Sequence, residues 1–168
     1  MLPRTLYNFN VFTNSVSWAG IASEVTLPKI TKKTEDHRGA GMIGDVALTL
    51  GYEKMECEIT YAGFDPLQYS QLGICGASDL PIRFVGIYER QDTCTKQNVE
   101  IYMRGNAHEF DPGNTKNGEK TEHKFKYGVS YYRVEADGQV ICELDFINGI
   151  ERFGDNDLGQ QIKNLLGL

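Results

Sequence analysis

No stretch of these 168 residues approaches the roughly 20 successive apolar residues of a membrane helix. The opening MLPRTLYNFNVF has no apolar block of the secretory kind, so the expectation is a protein made and kept in the cytoplasm without membrane anchoring. Four cysteines, Cys57, Cys75, Cys94 and Cys142, are widely separated with no C-x-x-C pair, which leaves zinc and dithiol chemistry without ligands. Cys57 and Cys142 fall on the apolar phase of their segments and read as buried thiols. Bases are in short supply: 17 Lys and Arg against 23 Asp and Glu give a net charge of −6, the wrong sign for a surface that grips nucleic acid. The shortage is sharpest over 135–157, where Glu135, Asp137, Glu143, Asp145, Glu151, Asp155 and Asp157 stand against Arg152 alone. A solvated face is the plain account of such a cluster. The length suits a single domain spanning 1–168.

Residues 37–44, HRGAGMIG, place Gly39, Gly41 and Gly44 at the G-x-G-x-x-G spacing of a dinucleotide loop. That motif needs a buried strand before the first glycine and a helix after the last. The approach, KITKKTEDHR, is too charged to be buried, and the exit, DVALTLG, alternates with Val46, Leu48 and Leu50 on one face. No cofactor is therefore expected. A second loop, GNAHEFDPGNTKNGE, fails as a calcium loop, because aligning Gly118 with the EF-hand glycine puts Gly113 and Lys124 at ligand positions. His37, His108 and His123 stand apart, and no nucleophile elbow, Walker loop or H-E-x-x-H helix accompanies them. With no catalytic constellation and no metal set, a non-enzyme is expected.

Period-two alternation dominates the rest. Met55, Cys57, Ile59 and Tyr61; Val99, Ile101 and Met103; Phe125, Tyr127, Val129 and Tyr131; and Val140, Cys142, Leu144 and Phe146 are the apolar halves of antiparallel strands with polar residues between. The phase slips near Tyr131-Tyr132, as a β-bulge would cause, and Asp137-Gly138 makes residues 121–146 one long hairpin. Asp65-Pro66 starts a short helix that ends by Gly76, and Leu158, Ile162, Leu165 and Leu166 with Gly167 behind them predict a terminal amphipathic helix. Two long loops, 31–44 and 105–119, are expected to project.

Taken together, MLPRTLYNFNVF, VTLPKITKKTEDHRGAGM, the run from MRGNAHEFDPGNTKNGE through ICELDFINGI, and LGQQIKNLLGL closely resemble the major tail tube proteins of contractile-tailed bacteriophages and the tube subunits of R-type pyocins. The likeness runs nearly end to end and is weakest around Ser78 and from Gln91 to Gln97.

The resemblance implies a mainly β fold: a two-sheet antiparallel sandwich or barrel of the tail tube type, with one or two short helices. It implies hexameric rings stacked into a hollow conduit for DNA delivery, in a virion tail assembled in the host cytoplasm. Its partners would be further copies of itself, the tail sheath, baseplate and tail terminator proteins, and transiently the tape measure protein and DNA. Under it, Thr34, Glu35, Asp36, His37, Arg38, Gly39, Gly41 and Met42 are ring-stacking contacts, and Glu143 and Asp145 are candidate acids of the lumen. The tube of a contractile bacteriocin or related injection system is the near alternative. A monomeric β-barrel binding a small ligand is the remote one.

Overall fold

The computed structural model describes residues 1–168, in twelve strands and two α-helices. In chain order these are β1 (Arg4–Thr13), β2 (Val16–Ser17), β3 (Ala22–Thr26), β4 (Lys32–His37), β5 (Val46–Tyr52), β6 (Met55–Ala62), α1 (Pro66–Ser70), β7 (Leu80–Arg90), β8 (Lys96–Asp111), β9 (Glu122–Ala136), β10 (Gln139–Asp145), β11 (Ile150–Phe153), β12 (Asn156–Asp157) and α2 (Leu158–Leu166).

The architecture grows from β8 and β9, which pair with each other along most of their length. The first half of β8 also pairs with β7, and the second half of β9 with β10, so that a wide sheet runs β12-β11-β10-β9-β8-β7-β1-β2. The first half of β9 pairs instead with β6, and β6 with β3, forming the second layer. Two long strands thus serve both layers, and they must bend where they pass from one to the other.

The bend is built from bulges and two glycines. Arg104 pairs with Tyr131 but Gly105 with Val129, leaving Ser130 extra, and Ala107 pairs with Tyr127 but Glu109 with Lys126, leaving His108 extra. A β-carbon on Gly105 would run into the Gly128 carbonyl oxygen, and one on Gly128 into the imidazole of His108. Only hydrogen fits at either place. The bulge expected near Tyr131-Tyr132 therefore lies one residue earlier, and both tyrosines are buried. No closed barrel forms, since the path ends at β2 and β12.

Between the layers lies one core with Val11, Trp18, Ile59, Leu80, Phe125 and Leu144 among its members. Trp18 meets Tyr61 edge to face at 4.9 Å, and its indole N–H donates to the Thr13 hydroxyl. The thiols of Cys57 and Cys142 are buried while Cys75 and Cys94 are exposed. Burial, with Glu58 adding to it, pushes the Cys57 thiol up to about 12.

Helix α1 begins as the sequence indicates: the Asp65 carboxylate accepts the Leu67 amide at 2.9 Å and Pro66 occupies the first turn. It is fastened to the second layer through polar groups. His123 Nδ1 lies 3.0 Å from Gln68 Oε1, the Tyr61 and Tyr127 hydroxyls are 2.8 Å apart, and Tyr127 donates to the Gln71 side-chain carbonyl. Burial carries the Tyr127 phenol far above its ordinary range.

Two expectations for loops are corrected. Residues 32–37, placed within an irregular segment, form β4, a strand exposed at every position and paired to β5. The segment counted as a loop from 105 is strand as far as Asp111, so the irregular part begins only at Pro112. Charge argues against burial, and neither segment needs to be buried to pair with its neighbour.

Candidate self-assembly surface

The hairpin β4–β5 stands apart as its own two-stranded sheet. Val46, Leu48 and Leu50 are each about half exposed, and His37 and Glu35 lie opposite Val46 and Leu48 on the same face. The turn carries Gly41 at φ 83 and places Ile43 wholly in solvent. Gly44 leads into strand β5, not into a helix, so the glycine motif has no phosphate-binding helix N-terminus.

At its base the hairpin is tied down. The Glu53 amide donates to the Thr31 carbonyl at 2.9 Å, the Tyr52 ring stacks on Phe146 at 5.7 Å, and the Tyr52 hydroxyl donates to Glu151. Burial, then the hydrogen bond to Glu151, raises the Tyr52 phenol well above its usual range. Of the eight predicted stacking residues, Thr34 to His37 lie along β4, whereas Arg38, Gly39, Gly41 and Met42 form the turn. A two-stranded ribbon is marginal on its own in water, and here its apolar stripe meets none of the chain's core.

Helix α2 has the same character. Asp157 accepts the Gln160 amide at 3.0 Å, Gly167 at φ 74 closes the other end, and Gly159 packs so tightly on the β10–β11 turn that a β-carbon would meet the Gly149 carbonyl. The helix is held at its start, yet Ile162, Leu165 and Leu166 face solvent. Strand β1 is the third such element. Its outer edge is paired by β2 only at Phe12 and Thr13, and Tyr7 bulges outward.

The face of the wide sheet away from the core carries charge in rows. One row crosses six strands as Arg83, Tyr102, Arg133, Glu143, Arg152 and Asp157. The Arg133 guanidinium lies 4.5 Å from the Tyr102 ring centroid, and that of Arg104 lies 4.1 Å from Tyr131. Arg83 pairs with Glu100 at 2.6 Å and Arg133 with Glu135 at 3.3 Å. The Tyr102 hydroxyl, then Arg83, hold the Glu100 carboxyl below its usual range. Sequence reasoning set Arg104 and Arg133 on the polar phase of their strands but gave them no role, and it passed over Arg83, whose alternation with Ile82 was there to be read.

The two candidate lumen acids part company. Glu143 sits in register between Arg133 and Arg152, so the wall it belongs to is a checkerboard of both signs. Asp145 is corrected: it is 4% exposed, and its carboxylate accepts the Ile147 and Asn148 amides at 3.0 and 3.1 Å and the Asn148 side chain at 2.8 Å. A carboxylate so enclosed closes a turn and cannot line a channel. Burial pushes Asp145 up, but the Asn148 side chain, the two amides and Arg104 together outweigh it and hold it below its ordinary value.

A carboxylate depressed in the folded state adds stability above the unfolded value of about 3.9, and that stability is lost as the pH falls through the folded value. Asp145→Ala is expected to cost about 2 kcal/mol at neutral pH, the scale of hydrogen bonds to a charged group. The deficit should shrink in acid; urea midpoints of both proteins between pH 7 and 3 check it.

A family model described as phage tail tube protein FII matches residues 3–167. The tail tube protein of Escherichia phage P2 is 40% identical over 170 residues, covering 99% of each chain. The major tail tube protein of Serratia phage KSP20 is 34% identical over 99% of this chain and 98% of its own. Among solved structures, the sheath-tube complex of an extracellular contractile injection system, PVC, in its extended state contains a chain of TM-score 0.61 at 9% identity, covering 80% of this chain and 92% of that one. That last likeness is one of fold.

Proposed function

The chain belongs to the phage tail tube family, and from that premise we propose that it is the structural subunit of the inner tube of a contractile phage tail. Hexameric rings of it stack into a hollow conduit for DNA delivery. The observation that carries the assembly is the hairpin β4–β5, a two-stranded ribbon whose Val46, Leu48 and Leu50 stay half exposed in the single chain. A ribbon of this kind becomes stable when a further copy covers its apolar stripe.

The stacking contact of one ring on the next is assigned to this hairpin. Thr34, Glu35, Asp36, His37 and Arg38 supply its polar groups, while Gly39, Gly41 and Met42 shape the turn. Individually such exposed contacts are worth about 0.5 kcal/mol. Repeated around a ring, they act together.

Around the tube the partners are the tail sheath, with baseplate and tail terminator proteins at the ends and the tape measure protein and DNA within. The wide sheet's charged face supplies the bore, with Glu143 as its candidate acid. Glu143→Lys would set a third base between Arg133 and Arg152, one on each of three adjacent strands, a basic stripe that attracts phosphates. Virions with this substitution are expected to assemble tails but to eject DNA more slowly, and unchanged ejection kinetics would remove Glu143 from the bore.

Negative-stain images of the purified protein test the function itself. Six-fold rings or open tubes are the expected result. A stable monomer at high concentration would overturn it.

A further inference from the structure

The two ends of the wide sheet differ, and we propose that they are the two halves of one joint: the β1 margin of one copy seats in the apolar groove beside α2 of the next copy in the same ring. This rests on the ring reading above and names its lateral contact.

The β1 margin offers a strand edge. From Arg4 to Asn10 no strand pairs its outer side, and at Val11 the carbonyl already accepts the Trp18 amide. The Phe9 and Val11 amides donate instead to the side chains of Asn8 and Asn10, at 2.9 and 2.8 Å. At the partly exposed Phe9 that substitute is one a neighbouring group could displace, whereas Val11 is fully buried. Leu6 and Tyr7 are exposed beside them, and Lys96 lies 5.7 Å from the Tyr7 ring centroid.

The opposite end offers a receiver. A groove of about 350 Å³ lies between Tyr52, Phe146, Ile150 and Ile162, and the outer residues of α2 extend its apolar surface. Room for two large side chains is what Leu6 and Tyr7 require. Charge is mixed at both margins, with Asp92 at the Leu2 amide near Arg4 and with Arg152 and Lys163 beside Asp157, so the joint rests on the open strand edge and the shape of the groove.

The chain cannot fill this groove with its own β1 margin. The path from one end of the sheet to the other crosses eight strands, which at ~4.8 Å per strand is roughly 30 Å or more. Two β1 margins meeting each other would make a two-fold dimer and leave the groove empty. Two different surfaces that meet head to tail generate a ring when the rotation between copies closes.

Cross-linking decides the matter. In a background of Cys75→Ser and Cys94→Ser, which removes the two exposed thiols, copies carrying Tyr7→Cys are mixed with copies carrying Leu165→Cys, assembled, and treated with a short bismaleimide. These positions are 67% and 89% exposed, so folding is not at stake. The expected product is a mixed dimer found only in the assembled fraction, and a chain carrying both substitutions should give a ladder ending at the ring's copy number. Assembled tubes without the mixed dimer, or with homodimers of the Tyr7→Cys copies alone, would overturn the joint while leaving the tube intact. Failure of the unsubstituted protein to assemble at all would overturn the tube reading, and the joint with it.

Discussion

Leu48→Glu combined with Leu50→Glu is expected to give a folded chain that no longer forms tubes. Both side chains project from β5 and belong to no part of the core, so the unfolding free energy of the single chain should change by no more than about 0.5 kcal/mol for each. Their effect falls on the contact with the next copy. Each is already about half covered, so burying the remainder contributes about 1 kcal/mol per side chain. Two per copy around the proposed six-membered ring amount to about 12 kcal/mol for one joint. Losing it, and adding acids beside Glu35, removes stacking altogether. Sedimentation velocity and urea unfolding on the same sample separate the two effects. Tubes of normal length, or a chain that fails to fold, would each contradict the assignment.

Gly105→Ala carries the largest expected cost within a single chain. Its β-carbon would meet the backbone carbonyl of Gly128, and a backbone atom cannot swing aside as a flexible side chain can. Relief requires the bend between the layers to open, which costs about 3 kcal/mol on the scale of overpacked cores. Gly44→Ala is the control, since a β-carbon there meets nothing within 4 Å and the residue is not among the positive-φ glycines. Its expected change is within about 0.5 kcal/mol. A glycine of the phosphate-loop spacing should therefore prove replaceable where one inside strand β8 does not. Thermal or urea unfolding of the two variants checks the contrast, and equal stabilities would contradict it.

That contrast marks the boundary of what the chain discloses by itself. Local chemistry was legible: Asp65-Pro66 starts α1, Asp137-Gly138 turns β9 into β10, and Gly167 ends α2 in the left-handed conformation that glycine adopts freely. Alternation identified β6, β8, β9 and β10 because their core residues repeat every second position. The meeting of Gly105 with Gly128 was not legible, since it depends on two strands bending together. Nor was β4, whose KKTEDH carries no apolar signal and is a strand only because β5 pairs with it.

The assembly surface was read unevenly for the same reason. The resemblance singled out the segment from Thr34 to Met42, but the apolar stripe of the hairpin is on β5. Asp145 sat on the polar phase of its strand beside Glu143, and alternation alone assigned both to one wall. The strand ends at Asp145, and the chain turns back through Asn148 to enclose it. Glu143, two residues earlier, keeps its place in the row with Arg133. The arginines along that row make the wall balanced in sign where the sequence suggested an acidic one.

Hydrogen exchange compared between assembled tubes and the dissociated chain tests most directly whether the single chain is completed by its own copies. Strong slowing on assembly is expected for amides of β4, β5 and the outer edge of β1, with little change in β6 and β9, which are already covered. Equal exchange of the hairpin and the β1 edge in both states would contradict the account.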